Sequence, residues 1–575
     1  MKSRAIHIVL LLLNCSASTW ATSYFVDNVN GNDNYNGLTV STAWQSLSKV
    51  NAFSYQPGDS ILFKRGGQWR GQLIPKSGTV AAYITYADYG TGQKPQLLGS
   101  VNVSGNSQWI DEGGNIWRSA QSSPIDIGNL IFNGATGFGS KKWTASQLLT
   151  QGDYWWDESG TQTVKIYSTL NPANYYSDIE AAIGTFIVYI QQGSYIVLKN
   201  LACKYGAADG IELRNAHHII ISDCELSYIG GCKLINQVRY GGGIQFWANS
   251  NNNIVERCKI WEIYDDAITN QGNSSAGGTL QQYKLYFRNN IIWNCSESSF
   301  CFFIQPAIVN GSFMKNIYFE NNTCVNAGGG WAANQRPDLK GFQVYCSANT
   351  AATDSVFIRN NIFYKSRCVF FVDNSAVQTL AFTNSDYNCW YPRNTTDTVV
   401  ALWTNTSLNV WTANQFTNYQ TTTNRELHSF ISNPLLVNPG NNDYYPAPNS
   451  PCIDAGTNTG ITTDFALNPR PQNGNYDMGA YEYLSGTIGT TENKNEDDVL
   501  RIYPNPNTGL FTVEGTAAQT EIRIYNSIGS MVFTTTITNK QCTIDLSGQA
   551  KGLYFVSALK NSQEIHTQKL IILKE

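Results

Sequence analysis

Four acidic residues, Asp209, Asp265, Asp266 and Glu297, stand beside small-residue turns in a stretch where one short pattern recurs. Setting the strand starts Asp209-Gly210-Ile211, Gly242-Gly243-Ile244, Asp266-Ala267-Ile268 and Ser299-Phe300 against one another puts Asp265 opposite Glu297 one repeat later. It also puts Asp209 opposite Asp266 two repeats later, with Gly242 between. If the repeats stack as β-strands, the first pair lies about 5 Å apart at Cα level and the second about 10 Å. Paired carboxyls are the acid–base equipment of glycosidic bond cleavage, where about 5 Å suits retention of configuration and about 6.5–9.5 Å suits inversion. Crowding also raises one carboxyl's pKa, so that it stays protonated near neutral pH. Register alone admits either pair. Alternation turns Ile211, Leu213, Ile244, Phe246, Ile268, Phe300 and Phe302 inward and Glu212, Arg214, Gln245, Trp247, Thr269 and Gln271 outward. That outward strip beside the acids is a candidate sugar groove. The competing reading is plain: aspartates at turns commonly cap backbone amides. His217-His218 reads as a structural turn pair.

The elements that must position these residues repeat between 195 and 373. Leu201, Cys224, Cys258, Asn290, Asn322 and Asn361 occupy one repeat position, at intervals of 23, 34, 32, 32 and 39 residues. An apolar residue lies three before each (Leu198, Ile221, Val255, Phe287, Phe319, Ile358). Another lies two after (Cys203, Leu226, Ile260, Ile292, Cys324, Phe363). Period-two alternation in tandem units marks a solenoid of strands, since one unit cannot bury its own apolar face. The missing leucine pattern excludes leucine-rich repeats. A parallel β-helix, with Asn and Cys stacked coil upon coil, is the expected fold.

Composition bounds the rest. The 575 residues carry 14 % charged and 13 % aromatic side chains, with 15 Trp and 32 Tyr, and a net charge of −4. The low charge and high aromatic content suit an extracellular β protein that meets sugars. A near-neutral chain lacks the basic footprint of a nucleic-acid binder. Residues 1–21 read as a secretory signal, with Lys2 and Arg4 before an apolar run and Thr19 with Ala21 at the cleavage site. The run is too short to span a bilayer, and Asn14 before Cys15 argues against a lipoprotein. The twelve later cysteines read as stacked core residues rather than a disulfide framework. Only His217, His218, His428 and His566 follow the signal, so a His-built zinc site is not expected, and no metal ligand is assigned.

At 24–71 a strand, the turn Gly31-Asn32-Asp33, an amphipathic segment at 44–50, Pro57-Gly58-Asp59, a second strand and Arg65-Gly66-Gly67 follow in order. Here the chain resembles secreted right-handed β-helix proteins of the carbohydrate-active kind. The resemblance runs over most of 24–483 and ends on the closing segment NPLLVNPGNNDYYPAPNSPCIDAG with NPRPQNGNYDMGAYEY at 433–483. It implies a first coil closed by a short helix, and a fold rather than a reaction. Residues 22–100 then form the cap and first coils, 101–185 a small β insertion containing Trp143, Tyr154, Trp155 and Trp156, and 186–483 the main body. Trp155 or Trp156 could stack on sugars, with core packing the blander account. LAFTNSDYNCWY (380–391) reads as one further degenerate coil. Residues 484–499 have linker composition. The alternating segments of 500–575 predict a small, Ig-like β-sandwich. Its Tyr503-Pro504-Asn505-Pro506, Tyr525-Asn526 with Gly529, Gly552-Leu553-Tyr554 and terminal 569–573 resemble the C-terminal sorting domain of the Bacteroidetes type IX secretion system. That resemblance implies handling by the secretion machinery, export through the outer membrane, and release or surface attachment.

The expectation is an all-β, secreted or cell-surface, monomeric enzyme that hydrolyses a polysaccharide without a cofactor. Asp209, Asp265, Asp266 and Glu297 are the catalytic candidates, and Glu212, Arg214, Gln245, Trp247 and Gln271 the substrate-binding ones. Tyr264-Asp265-Asp266-Ala267-Ile268 resembles the double-aspartate step of polygalacturonases. The Gly-His-Gly and Arg-Ile-Lys that would complete their pattern are absent, so their mechanism does not transfer. Two rivals stand beside hydrolysis. One is a lyase for a uronic-acid polymer, using Lys204, Arg239 or Tyr240 as base, with clustered Asp suited to Ca2+. The other is a non-catalytic glycan-binding or structural protein.

Overall fold

The computed structural model describes residues 21–484 and 501–573, except 339, 347–350, 374–382, 404–407, 504, 506, 515–519, 527–529, 538–540 and 561–562. Residues 1–20 of the expected signal segment 1–21, and nearly all of the expected linker at 484–499, lie outside the described residues. The chain divides into two compact units, 1–483 and 484–575.

The first unit is a right-handed parallel β-helix. Its coils build a 17-stranded sheet and a 10-stranded sheet whose strands pair in parallel, apart from the last hairpin of the larger sheet, Thr398–Trp403 with Leu408–Thr412. The repeat positions stack in register: Cys203 opposes Leu226, which opposes Ile260, then Ile292, Cys324 and Phe363. All six are buried in one continuous core. The degenerate stretch at 380–391 supplies Cys389–Tyr391, paired on Ile362–Tyr364.

Asparagines set this register. The Asn290 amide N–H donates to Asn322 Oδ1 at 2.9 Å, Asn322 N–H to Asn361 Oδ1 at 2.9 Å, and Asn361 N–H to Asn388 Oδ1 at 2.9 Å. Each Nδ2 returns a bond to a carbonyl one coil away, as Asn322 does to Phe287 O at 2.9 Å. The residue before each rung, Asn289, Asn321, Asn360 or Tyr387, has φ of 54–56°. That left-handed conformation is least costly for Asn among residues with a Cβ. It turns the chain so that the next side chain enters the core. The exterior amides of Asn289, Asn321 and Asn360 donate to the carbonyls of Thr463, Asp477 and Thr457, which lays the closing segment along the smaller sheet. There Trp261 and Trp293 stack 4.8 Å apart, and Arg470 pairs with Glu482 at 2.6 Å, both fully buried.

The N-terminal end is closed by the helix Leu47–Ala52, whose Leu47 and Val50 are buried. Asp33 Oδ1 accepts from the amides of Gln45 and Ser46, holding the turn against it. A Cβ on Gly31 would come within 2.1 Å of Trp44 O, so only glycine fits there. The insertion carries a four-stranded and a five-stranded sheet with their own core of Trp109, Leu130, Phe132, Tyr154 and Ile166. All cysteines after the signal are free thiols, buried except for half-buried Cys542. The second unit has a three-stranded and a four-stranded antiparallel sheet around Phe511, Val513, Ile522, Ile524 and Val556.

The asparagine ladder yields a stability prediction. Asn322→Ala leaves the Asn290 N–H buried without its partner and removes the Asn322 bond to Phe287 O, and should cost about 1–3 kcal/mol. Asn34→Ala, on an exposed turn, should cost less than about 0.5 kcal/mol. Urea unfolding of both variants checks this, and equal midpoints would refute the ladder's role.

Candidate active site

The acid row forms where three coils begin. Ile211 opposes Ile244 and Ile244 opposes Ile268, so Asp209, Gly242 and Asp266 fall in one line across three strands. Asp209 Oδ1 accepts the Gly242 amide at 2.6 Å and so leans towards the middle coil. Asp266 Oδ1 accepts the Ser298 hydroxyl at 2.6 Å on the coil beyond, and Gln271 Nε2 reaches its other oxygen at 3.3 Å. A Cβ at Gly242 would sit 3.3 Å from Asp209 Oδ1 and 3.0 Å from Asp266 O. The missing side chain therefore leaves the surface beside the Asp209 carboxyl and the Asp266 carbonyl uncovered.

Both acids open on a cleft of about 630 Å³, which Gly242, Gln245, Trp247 and Gln271 also line. Arg214 lies on its wall with the guanidinium 5.9 Å from the Trp247 ring, and donates through Nε to Glu212 Oε1 at 2.5 Å. Glu212 leaves the core face as alternation requires but is fully buried, and its Oε2 has no hydrogen-bond partner. The expectation of a solvent-facing Glu212 is corrected accordingly: it sits close enough to Asp209 and Tyr240 to share their electrostatic field. Tyr240 and Leu234 bring a wall from the hairpin of Cys232–Ile235 and Val238–Tyr240, while Asn273, Ser275 and Ala276 bring the opposite wall. The amides of Gln191 and Asn215 and the ring of Phe303 line it as well. Apart from Tyr240, named from the sequence as an alternative base, sequence patterning did not mark these wall residues.

Burial pushes Asp209 up to about 6, against the pull of the Gly242 amide and Arg214. Burial and then the charge of Glu297 raise Asp266 to about 7, with the Ser298 hydroxyl opposing. Burial followed by the Asp209 charge lifts Glu212 to about 8. The second acid pair is differently placed. Asp265 and Glu297 face each other across adjacent coils, and the Glu297 amide donates to Asp265 O at 3.2 Å. Both are engaged by a segment at 327–341. Arg336 donates to Asp265 Oδ1 and to Glu297 Oε2, each at 2.6 Å, and Lys340 donates to Glu297 Oε1 at 2.7 Å. Burial and Glu297 raise Asp265 well above the ordinary range. Burial opposes the charge on Glu297 too, but the hydrogen bond from Asp265 with Arg336 and Lys340 holds it near 2. Asp265 touches the cleft, whereas Glu297 is tied behind it.

Of the alternative bases, Tyr240 lines the cleft and burial drives its phenol upward. Arg239 donates to Gly231 O and Gly128 O, each at 2.8 Å, and Lys204 ends a strand of the smaller sheet. His217 and His218 contact one another within the strand Ile211–Ser222. Among the described residues no group of three or more His, Cys, Asp or Glu is placed to hold a metal ion.

Comparison with known proteins agrees with this architecture. Residues 176–340 match the right-handed β-helix region family, and residues 501–573 match the secretion system C-terminal sorting domain. The chain is therefore a right-handed β-helix protein with a sorting domain that marks it for type IX export to the cell surface or beyond. Among the described residues no helix is long and apolar enough to cross a membrane. A lacto-N-biosidase of Bifidobacterium longum subsp. longum is 32 % identical over 93 residues, which are 15 % of this chain and 6 % of that protein. A solved glycoside hydrolase aligns over 67 % of this chain and 95 % of its own at 9 % identity and a TM-score of 0.39. A rhamnogalacturonan lyase aligns over 68 % and 78 % at 13 % identity and a TM-score of 0.35.

The raised carboxyls have a measurable consequence. An unfolded Asp titrates near 3.9, so between about pH 4 and 7 the folded chain holds protons at Asp209 and Asp266 that the unfolded chain has lost. Stability contributed at these sites therefore falls as pH rises through that window. Asp266→Asn should show a smaller loss of thermal midpoint between pH 5 and 8 than the wild type. An unchanged slope would mean that Asp266 is ionised in the fold.

Proposed function

We propose that this chain is an exported glycoside hydrolase acting on a neutral glycan, with Asp266 as general acid and Asp209 as general base. The observation that carries this reading is the single row Asp209–Gly242–Asp266, in which two buried carboxyls share one cleft with a glycine between them. Asp266, raised to about 7, delivers its proton to the departing glycosidic oxygen. Asp209, at about 6, takes a proton from the water that attacks the anomeric carbon. The intervening coil separates their Cα atoms by two strand spacings, about 10 Å, and the glycine leaves room for that water. This supports direct displacement with inversion.

The same geometry disfavours elimination on a uronate polymer. A uronate carboxylate entering the cleft would need a cation, and Arg214, the cation on its wall, is already paired with Glu212. A purely structural role accounts for the Asp209 cap on the Gly242 amide but leaves unused the cleft on which both carboxyls open. Burying raised carboxyls costs stability, whereas turn capping needs only ionised, hydrogen-bonded aspartates.

Asp209→Asn and Asp266→Asn should each lower hydrolysis about 10²–10⁴-fold with the fold retained, read as new reducing ends from a panel of neutral oligosaccharides. The wild-type rate should fall below about pH 6, as the base takes a proton, and above about pH 7, as the acid loses its own. Unsaturated products from uronate oligosaccharides assayed beside the neutral panel, or full activity in Asp266→Asn, would overturn the assignment. Proton NMR of the first-formed product should show the anomer opposite to the substrate's. Retained configuration would replace inversion by a double displacement.

A further inference from the structure

The hairpin that walls the cleft has a second face. Cys232 pairs with Tyr240 and Lys233 with Arg239 across it, so cross-strand partners share a face. Tyr240 and, by alternation, Leu234 look into the cleft, whereas Lys233 and Arg239 face the other way. The Lys233 amide donates to Asp126 Oδ2 at 2.6 Å at the hairpin's edge, and on the far side the Lys233 ammonium pairs with Glu158. A smaller cleft of about 120 Å³ opens there between the hairpin and the insertion. Trp143, Trp155 and Trp156 line it with Lys141 and Lys142.

Two of these indoles have no role in the insertion's core. Trp156 packs in it, and its Nε1 donates to Ser123 O at 3.0 Å. Trp155 alternates out of the same strand, Asp153–Trp156, and stays half-exposed, as does Trp143. Trp143 has the Lys141 ammonium 5.6 Å from its ring centroid. Every cation around the cleft already has an anion: Lys141 with Asp126, Lys142 with Asp153 at 3.1 Å, and Lys233 with Glu158. An ionic ligand therefore finds no unbalanced charge. What remains is indole surface rimmed by charged hydrogen-bonding groups, which suits the apolar face and hydroxyl edge of a neutral pyranose.

We propose that this far-side cleft is a distal subsite for a neutral sugar residue of the glycan whose scissile bond lies between Asp209 and Asp266. The proposal rests on the hydrolase reading above. The hairpin contributes a wall to each cleft, Leu234 and Tyr240 to the first and Lys233 to the second. Leu234, Ile235 and Val238 expose apolar surface at the hairpin's tip, over which a sugar chain can pass.

The test uses the full chain and neutral gluco-, galacto- and manno-configured oligosaccharides of increasing length. For each protein, kcat/KM on the longest cleaved substrate is divided by that on the shortest. Trp143→Ala and Trp155→Ala should each lower this ratio about tenfold, mainly through KM, whereas exposed Leu149→Ala should not. Calorimetric titration of the Asp266→Asn protein, with and without the Trp substitutions, separates binding from turnover. Cleavage with an unchanged length ratio would overturn the distal subsite and leave the hydrolase reading intact. Binding that weakens on Trp substitution in a protein that cleaves nothing would do the reverse. Absence of any binding across the panel would count against both.

Discussion

The buried amide ladder from Asn290 through Asn322 and Asn361 to Asn388 is the constraint on which the rest of the β-helix depends. Parallel strands in a stack could slip by two residues and keep every apolar side chain inside. An asparagine that must give and receive hydrogen bonds with the coils above and below admits only one register. A slip would orphan several buried polar groups, at about 1–3 kcal/mol each. The left-handed residue before each rung makes the corner, and the exterior asparagine amides carry the closing segment. One residue type at one repeat position thus sets coil spacing, corner geometry and the attachment of the final cover.

The candidate site inherits its precision from that register. Asp209, Gly242 and Asp266 are separated by strand spacings rather than by loop conformations, so their relative heights do not depend on mobile backbone. The walls come from what is added to the basic coil. The interval from Leu201 to Cys224 is 23 residues, and the longer intervals of 34, 32, 32 and 39 hold the hairpin at 232–240, the loops near 273–280 and 305–312, and the segment at 327–341. The last of these brings Arg336 and Lys340 onto Asp265 and Glu297. A cluster of four acids thereby divides into Asp265 and Glu297, which share Arg336, and Asp209 and Asp266, which line the cleft; Asp265 touches the cleft as well.

That division has an energetic side. Asp209, Glu212 and Asp266 are held where burial disfavours their charge, which subtracts from stability as pH rises. The extended apolar core and the amide ladder offset this. A solenoid is suited to such a site because its stability accumulates coil by coil, so a few unfavourable groups on one face do not endanger the whole.

Much of this was legible in the residues themselves. The repeat at 201, 224, 258, 290, 322 and 361, the inward apolar rows, and the alignment of Asp209 with Asp266 across Gly242 all follow from period-two alternation, a local property that register carries from strand to strand. In the tail, alternation gave a small β-sandwich, and the sorting domain was legible through the resemblance of motifs such as Tyr525-Asn526 with Gly529 and Gly552-Leu553-Tyr554. Tertiary structure alone decided which acids meet cations, because Arg336 lies 71 residues from Asp265 in an insertion with no periodicity. It also decided that Glu212 is buried and that one hairpin has a cleft on each face. Periodicity states which side of a strand a residue occupies, whereas the direction an insertion folds, and what it covers, is set by contacts between segments far apart in the chain.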